Sequence, residues 1–384
     1  MKYYLLRSKF RELVQRQRVI DNLMRLRTQL DACVPDKDPD NNLLLATWNI
    51  RDFAKKNRRG FGERLPESHF YLAEIISRFD FVAVQEVNEL DEWEDLMEIL
   101  GPDWSYMATD VTDTKLGGNG ERLTYVFDRR KVRFQNIAGE IVLPMDMLIS
   151  QVNTEVEGEK VIAGKQFNRS PYLASFSSGW FKFDICTVHL YYGADSGKQL
   201  QQRIEEISRI AEYLGKRADE SLKHGSALIL LGDFNIVHPE HKTMQALVEQ
   251  GFLLPKSLRR PTNIDRTKYY DQIAFKTSPA VIEYIDREST DPKRCNAGVF
   301  EILESVFKDD DFEQYREHVL KSSTGAKKSP DELDEFYLTW RTYQMSDHKP
   351  MWVRLNTNDS QRYLERLKGG EDREPTPAPP PARP

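Results

Sequence analysis

Short apolar segments alternate with amphipathic ones along most of the chain from Leu43 onward. The segments LLLATWNI, FVAVQEV, FKFDICTVHL and ALILLGDFNI have the length and composition of buried strands. Between such segments, apolar residues recur at helical spacing near residues 67–78, 91–100 and 198–218. Interleaved strands and helices predict an α/β domain, because the helices must cover the apolar faces of the sheet.

The two ends of the chain differ from this pattern. Residues 1–42 predict a basic amphipathic helix followed by a turn-rich linker, PDKDPDNN. The basic face of this helix could pack on the main domain or contact a nucleic acid, a membrane or a partner. Residues 43–355 form the predicted main domain, in which 276–345 is an elaboration with an expected helix over Phe300–Lys321. Residues 356–384 are polar and rich in proline, so we expect a disordered tail.

Composition narrows the class of protein. Of the 384 residues, 39% are apolar, which is enough for a sizeable core, and 30% are charged. No apolar run approaches the length of a membrane span or of a signal-peptide core, so we expect a cytoplasmic protein. Three scattered cysteines argue against a disulfide framework and a zinc site. The net charge of −6 does not indicate a nucleic-acid binder, but carboxylates that hold a cation would also lower it.

Polar residues repeatedly follow the apolar strands. A single Asp, Asn or Glu at a strand end is more often a turn former or a helix cap than a ligand, and a single His is more often a hydrogen-bonded core residue. Independent turns, however, would have no reason to recur in one order over about 300 residues, and strand ends are where α/β sheets build their sites. The residues concerned are Asn49, Glu86, His189, Asp233, Asn235, Asp271, Asp347 and His348.

The segments that carry these residues resemble a known family. TWNIR, QEV, VHL, GDFN, YDQI and SDHKP match, in order, the signature segments of the endonuclease/exonuclease/phosphatase superfamily over Leu43–Leu355. GERLTYVFDRRKV and NRSPYLASF are similar to two further segments of its DNase I-like members. The resemblance implies a four-layer α/β sandwich, in which two packed mixed β-sheets are flanked by helices.

The resemblance also implies a metal-dependent hydrolase of phosphate esters. Asn49, Glu86 and Asp347 would offer hard oxygen ligands, which suit Mg²⁺ or Mn²⁺. His348 would act as the general base on the attacking water if Asp271 accepts its other ring proton.

The remaining residues would complete the site. Asp233 and Asn235, two apart in an extended strand, would leave the same face to position the water and bind the phosphate. His189 would stabilise the developing charge or protonate the leaving group, with Glu121 orienting it. By the same similarity Arg169 would contact a substrate phosphate.

The substrate is less constrained than the reaction, because one fold hosts many substrates. The DNase I-like segments favour a nuclease that contacts the nucleic-acid backbone without reading its sequence, and the basic loop 55–64 could contribute to this or simply be solvated. The motif expected after Asp-x-Asn in inositol polyphosphate 5-phosphatases is replaced here by Ile236, Val237 and His238. A lipid or small-molecule phosphoesterase and a non-catalytic binding module stay open. DNA versus RNA preference, endo versus exo action and the oligomeric state are left undecided.

Overall fold

The computed structural model describes residues 1–384 except 57, 59, 112–119, 157–158, 191, 194–195, 279–280, 282–283, 285–286, 288 and 370–384. The strands are β1 (Asn42–Phe53), β2 (Phe81–Val87), β3 (Trp104–Ala108), β4 (Arg122–Asp128), β5 (Arg133–Glu140), β6 (Ser150–Val156), β7 (Glu159–Lys165), β8 (Tyr172–Ser178), β9 (Phe181–His189), β10 (Ser226–Asp233), β11 (Asp271–Lys276), β12 (Ala297–Val299) and β13 (Met351–Asn356). The helices are α1 (Leu5–Lys9), α2 (Leu13–Cys33), α3 (Pro66–Ser77), α4 (Leu90–Leu100), α5 (Gly197–Lys223), α6 (Lys242–Glu249), α7 (Phe312–Lys321), α8 (Pro330–Gln344) and α9 (Ser360–Lys368).

Two mixed sheets form the centre of the molecule. The first has the strand order β12-β13-β1-β2-β4-β3 and the second the order β11-β10-β9-β8-β5, while β6 and β7 form a separate hairpin. Each central sheet contains one parallel pair, β1 with β2 and β9 with β10, among antiparallel neighbours. Helices cover the outer faces of both sheets, so the predicted four-layer α/β sandwich is confirmed.

Three apolar clusters fill the spaces between the layers. The first lies between the first sheet and α2, α3, α4, α7 and α8; the second lies between the sheets; the third lies between the second sheet and α5 and α6. In β1, Leu43 and Leu45 face the other sheet, whereas Leu44 and Ala46 face the helices. Because both faces are buried, the run from Leu43 to Ala46 is apolar at every position instead of alternating.

The amino-terminal extension packs on the main domain. The helical conformation is interrupted near Phe10, so two helices, α1 and α2, form where one was expected. Leu23, Leu26 and Leu30 of α2 are buried in the first cluster. The side-chain amide of Asn22 donates to the hydroxyls of Tyr71 on α3 and Tyr315 on α7, at 3.2 and 3.0 Å. The extension therefore joins the main domain to the elaboration.

The elaboration adds both a strand and helices. β12 pairs with β13 at the edge of the first sheet. The expected helix over Phe300–Lys321 is wrong for its first half, because α7 begins only at Phe312. Phe300, Val306 and Phe307 are buried in a non-helical segment, and Phe307 has a φ of 48°, which a right-handed helix does not accept. α8 begins with a capping box between Ser329 and Glu332.

The segment after β13 also contains a helix, α9, whose side chains are not buried. The expected disorder of residues 356–384 therefore differs from the structure over α9, while residues 370–384 lie outside the described range. Among the described residues, none of the helices combines the length and the hydropathy needed to cross a bilayer.

Candidate active site

Strand register brings three of the predicted residues side by side. Asp233 at the end of β10 pairs with His189 at the end of β9 and with Asp271 at the start of β11. In the other sheet, Asn49 pairs with Gln85 on the parallel strands β1 and β2. The site therefore forms where the carboxyl ends of both parallel pairs meet.

Gly232 allows β9 and β10 to approach closely at this edge. Its φ is 129°, and a Cβ atom here would overlap the carbonyl oxygen of Val188 and lie 2.8 Å from the nitrogen of the same residue. A larger residue would push apart the strands that carry His189 and Asp233. The first position of GDFN is thus fixed by backbone packing.

One cleft of about 400 Å³ receives most of the predicted side chains. The predicted residues that line it are Glu86, Glu121, Arg169, His189, Asp233, Asn235, Asp347 and His348. Asn49 and Asp271 lie behind this lining and are bonded to it. The structure therefore brings together residues that are up to 299 positions apart, from Asn49 to His348.

Asn49 and Glu86 form one side of the cleft. The amide nitrogen of Asn49 donates to Glu86 Oε1 and to Asp233 Oδ2, both at 3.0 Å. Its carbonyl oxygen Oδ1 is buried and finds no donor among the described residues. Glu86 has a φ of 64°, and its Oε2 accepts the backbone N–H of Asp52 at 2.7 Å. A buried acceptor without a donor, next to a carboxylate whose backbone is strained, fits a bound cation.

The charges around Glu86 also favour a bound cation. Burial raises the pKa of the Glu86 carboxyl; His189 lowers it, whereas Glu121 and Asp347 raise it, and the net shift is upward. A divalent cation would relieve this crowding of carboxylates, and oxygen ligands suit Mg²⁺ or Mn²⁺. Asp347 is partly neutralised by Arg51, whose Nη1 lies 3.2 Å from Asp347 Oδ2.

Two other groups of possible ligand atoms differ from the expected metal ligands Asn49, Glu86 and Asp347. Atoms of Glu86, Glu121 and His189 lie within 4.8 Å of one another, and so do atoms of Asp233, Asp271 and His348. Only Glu86 belongs to both the first grouping and the set predicted from the sequence.

His348 is held between two carboxylates. Its Nδ1 lies 2.8 Å from Asp271 Oδ2, and its Nε2 lies 3.8 Å from Asp233 Oδ2. The ring of Tyr270 stacks on the imidazole with centroids 5.4 Å apart. Burial lowers the pKa of His348, but Asp271 and Asp233 raise it more, so the pKa lies well above its usual value. A cation bound in the cleft would oppose this rise.

A second imidazole stands on the other side of Asp233. His189 Nδ1 lies 2.8 Å from Glu121 Oε1, and His189 Nε2 lies 3.6 Å from Asp233 Oδ2. Burial raises the pKa of Glu121, but His189 and Arg169 lower it more, to about 2. Arg169 forms an ion pair with Glu121 and donates to the carbonyl of His189 at 3.2 Å. Its guanidinium is thus tied to the site as well as facing the cleft.

The turn after β10 differs from the expected geometry. β10 ends at Asp233, and Asn235 has a φ of 53°, so the extended conformation that would place both side chains on one strand face is wrong. The backbone N–H of Asn235 donates to Asp233 Oδ1 at 2.9 Å, and its side-chain amide donates to the carbonyl of Leu190 at 2.9 Å. This turn, not the strand pleat, aims both side chains at the cleft.

Sequence reasoning missed several residues that line the cleft. Arg51 directly follows TWNI, so its position was a usable signal. Tyr343 lies on α8 and contacts Arg51, whose guanidinium is 3.9 Å from the ring centroid. No local pattern could have linked them, because they are 292 positions apart in the chain. Tyr192 and Tyr270 complete the aromatic part of the lining.

Two arginines of the basic loop 55–64 have a structural use, while residues 57 and 59 lie outside the described range. Arg58 and Arg64 are each only 6% exposed, and both donate to carbonyl groups at the end of α8. These carbonyls lack helical partners, which is why a buried guanidinium is stable there. The alternative that these two arginines contact the phosphates of a nucleic acid is therefore wrong, whereas Lys55 does face the cleft.

The chain was compared with family models and with curated proteins. No family model matches the chain. The chain is 27% identical over 216 residues to a deoxyribonuclease of Thioalkalivibrio sp. (strain K90mix), a match that covers 54% of this chain and 51% of the relative. The chain thus aligns with about half the length of this relative.

Solved structures with a related shape were also found. An endonuclease/exonuclease/phosphatase family protein from Bacteroides thetaiotaomicron is 18% identical, with a TM-score of 0.47, and covers 83% of this chain and 98% of its own. A mannosyl-6-phosphatase from the same species is 17% identical, with a TM-score of 0.48, and covers 82% and 99%. TDP2 from D. rerio, in complex with a single-strand DNA product, is 13% identical, with a TM-score of 0.48, and covers 83% and 100%.

The ordered motifs, the two-sheet sandwich, the cleft that gathers the motif residues and the similarity to a deoxyribonuclease agree with one another. Together they confirm the resemblance of this chain to the endonuclease/exonuclease/phosphatase superfamily in its DNase I-like form.

Proposed function

We propose that this protein is a divalent-metal-dependent phosphodiesterase that hydrolyses the phosphodiester bonds of nucleic acids. The observation that carries the proposal is the position of Asp233 between the imidazoles of His189 and His348, at 3.6 and 3.8 Å, beside buried oxygen ligands. The similarity to a deoxyribonuclease over 216 residues supports the choice of nucleic acid.

The cation would be held by Asn49 Oδ1 and by the carboxylates of Glu86 and Asp347. These groups fit it because the amide oxygen is buried without a donor and the carboxylates are crowded. When bound, Mg²⁺ or Mn²⁺ supplies positive charge to the non-bridging oxygens of the phosphate as negative charge develops there.

Proton transfer from the attacking water is assigned to His348, with Asp271 and Asp233 beside it. Asp271 fixes the tautomer of His348 by accepting the Nδ1 proton, so that Nε2 is free to receive the proton of the attacking water. Asp233 lies next to this nitrogen and, with Asn235, orients the water and the phosphate.

His189 serves the opposite side of the phosphate. Glu121 accepts its Nδ1 proton and leaves Nε2 facing Asp233 and the cleft. From there His189 stabilises the developing charge or protonates the leaving oxygen, and Arg169 contacts a phosphate oxygen from the same wall.

Contacts outside the reacting phosphate would be to the backbone of the nucleic acid. Lys55 lines the cleft and the next residue, Lys56, is exposed, and lysine side chains bind phosphates without reading bases. Such contacts release counterions, so added salt should weaken binding steeply.

A substrate panel tests the proposal. The protein is incubated with Mg²⁺ or Mn²⁺ and with plasmid DNA, single-stranded DNA, RNA, sphingomyelin or inositol phosphates. We expect cleavage of nucleic acid that EDTA abolishes. The variant His348→Ala should lose roughly 10²- to 10⁴-fold in rate, whereas His224→Ala, at an exposed helix end, should not. Hydrolysis of lipid or sugar phosphates without any nucleic-acid cleavage would contradict the proposal.

A further inference from the structure

An aromatic side chain stands at the mouth of the cleft with most of its surface exposed. Tyr192 lines the cleft, and 60% of its surface is accessible. An exposed ring that lines a binding cleft offers an apolar face for stacking, whereas phosphate chemistry needs oxygen and N–H groups. The metal and proton-transfer roles described above therefore leave Tyr192 unused.

The ring of Tyr192 connects to the reacting residues through Tyr270. The two rings meet edge to face, with centroids 6.3 Å apart and an interplanar angle of 86°. Tyr270 in turn stacks on His348 at 5.4 Å. A ligand lying on the face of Tyr192 is thus within two ring contacts of a proposed catalytic group.

The backbone carbonyl of Gly193, next to Tyr192, is hydrogen-bonded to a residue that also contacts the site. Arg203 of α5 is fully buried and donates to the carbonyl of Gly193 at 2.6 Å and to the carbonyl of Asn235 at 2.9 Å. Its guanidinium carbon lies 5.8 Å from the centroid of the Tyr192 ring. One buried side chain therefore links Gly193, next to Tyr192, to the turn that carries Asn235.

We propose that Tyr192 is a stacking platform for a nucleobase next to the scissile phosphate, and that the preferred substrate is a single-stranded nucleic acid. This inference rests on the proposed function and narrows its substrate class. A base in a duplex has its faces covered by its neighbours, whereas a base in a single strand can turn onto an aromatic ring. Stacking tolerates every base, which agrees with a site that does not read sequence.

The test separates stacking from backbone contact by comparing two substrates. One is a short single-stranded oligodeoxynucleotide, and the other is an oligomer of the same length whose sugars carry no bases. We expect Tyr192→Ala to raise KM for the first substrate by roughly 5- to 100-fold with little change in kcat, because base–ring stacking is lost. Tyr192→Phe, which keeps the ring, should resemble the wild type. On the base-free oligomer, the wild type and Tyr192→Ala should have equal KM.

Matched controls exclude a general effect of removing an exposed ring. Trp180 is 55% exposed and does not line the cleft, so Trp180→Ala should leave KM for both substrates unchanged. The wild type should also have a lower KM for the single strand than for a duplex of the same sequence.

Several outcomes would overturn the inference. One is cleavage of the oligonucleotide with the same KM in Tyr192→Ala; another is an equal loss on both substrates, which would mean a backbone or folding role. Either leaves the proposed nuclease function standing. If the wild type cleaves no oligonucleotide but hydrolyses a sugar phosphate in a Tyr192-dependent way, the nuclease function and the base platform fail together.

Discussion

Asp233 is the residue around which the charges of the cleft are arranged. It accepts a hydrogen bond from the Asn49 amide, and both imidazoles point their Nε2 atoms at it. Burial raises the pKa of its carboxyl, but His348 and His189 lower it more, so Asp233 is ionised. Each imidazole has a further carboxylate behind it, Asp271 or Glu121, which fixes its orientation.

Glu121 gives a prediction at this scale, on the pH dependence of stability. Its pKa falls from 4.5 to about 2 on folding, so its contribution to the free energy of unfolding is present above pH about 4.5 and disappears as the pH falls toward 2. Gln cannot ionise and lacks this contribution. We expect the wild type to exceed Glu121→Gln by about 3 kcal/mol at pH 6 and the two to converge below pH about 2.

The measurement is urea unfolding of both proteins between pH 2 and 6, with EDTA present so that no cation perturbs the site. Subtracting one curve from the other cancels the carboxylates that the two proteins share. A difference that stays constant across this range would show that Glu121 is not held as an ionised partner of His189 and Arg169.

At the scale of the elements, the close contact between β9 and β10 decides the geometry. The parallel pairing sets His189 beside Asp233, and Gly232 makes that pairing possible because a Cβ atom there would overlap Val188. The segment GDFN therefore combines a packing requirement at its glycine with the site residues Asp233 and Asn235.

Gly232→Ala should accordingly damage both stability and activity. The added methyl group meets backbone atoms, which cannot move as a flexible side chain can, and a φ of 129° is strained for any residue with a Cβ. We expect a loss of at least about 2 kcal/mol in the free energy of unfolding, measured in urea, and a lower kcat for the fraction that folds.

Gly139 on β5 provides the matched control. A Cβ atom at this position would meet nothing within 4 Å, so Gly139→Ala should unfold at nearly the same urea concentration as the wild type. Equal behaviour of the two alanine variants would contradict the steric explanation.

For the whole molecule, the amino-terminal extension and the elaboration form one continuous layer over the first sheet. α2 contacts α3 and α7 through Asn22, and the last turn of α8 carries Tyr343, whose ring supports Arg51 in the cleft. Segments that lie far apart in the chain, and outside the matched motifs, thus complete one wall of the site.

This arrangement predicts that α2 is required for stability. Leu26 is fully buried in the first cluster, so Leu26→Ala should lower the free energy of unfolding by roughly 2–5 kcal/mol through lost burial and a residual cavity. Met24 lies on the same helix but is 62% exposed, and Met24→Ala should change stability by less than about 0.5 kcal/mol. Urea unfolding measures both, and a tolerated Leu26→Ala would mean that α2 packs weakly.

Sequence patterns predicted an α/β domain, because buried strands need long apolar runs and covering helices need periodic ones, and the resemblance to the superfamily implied the sandwich. They also identified Asn49, Glu86, His189 and the GDFN and SDH segments, because site residues must follow those strands. They failed over the first half of Phe300–Lys321, where apolar residues are buried by tertiary contacts and not by a helix. They also failed for Arg58, which donates to a carbonyl at the end of the distant helix α8.

The sequence by itself determined the fold class and the chemical types of the residues gathered in the cleft, since both follow from local patterns of burial and from motif order. Tertiary structure decided which atoms meet. The two-imidazole arrangement around Asp233, the turn at Asn235, the support of Arg51 by Tyr343 and the exposure of Tyr192 depend on strand register and on packing between distant segments. Such contacts are set by the whole chain at once, so no local pattern encodes them.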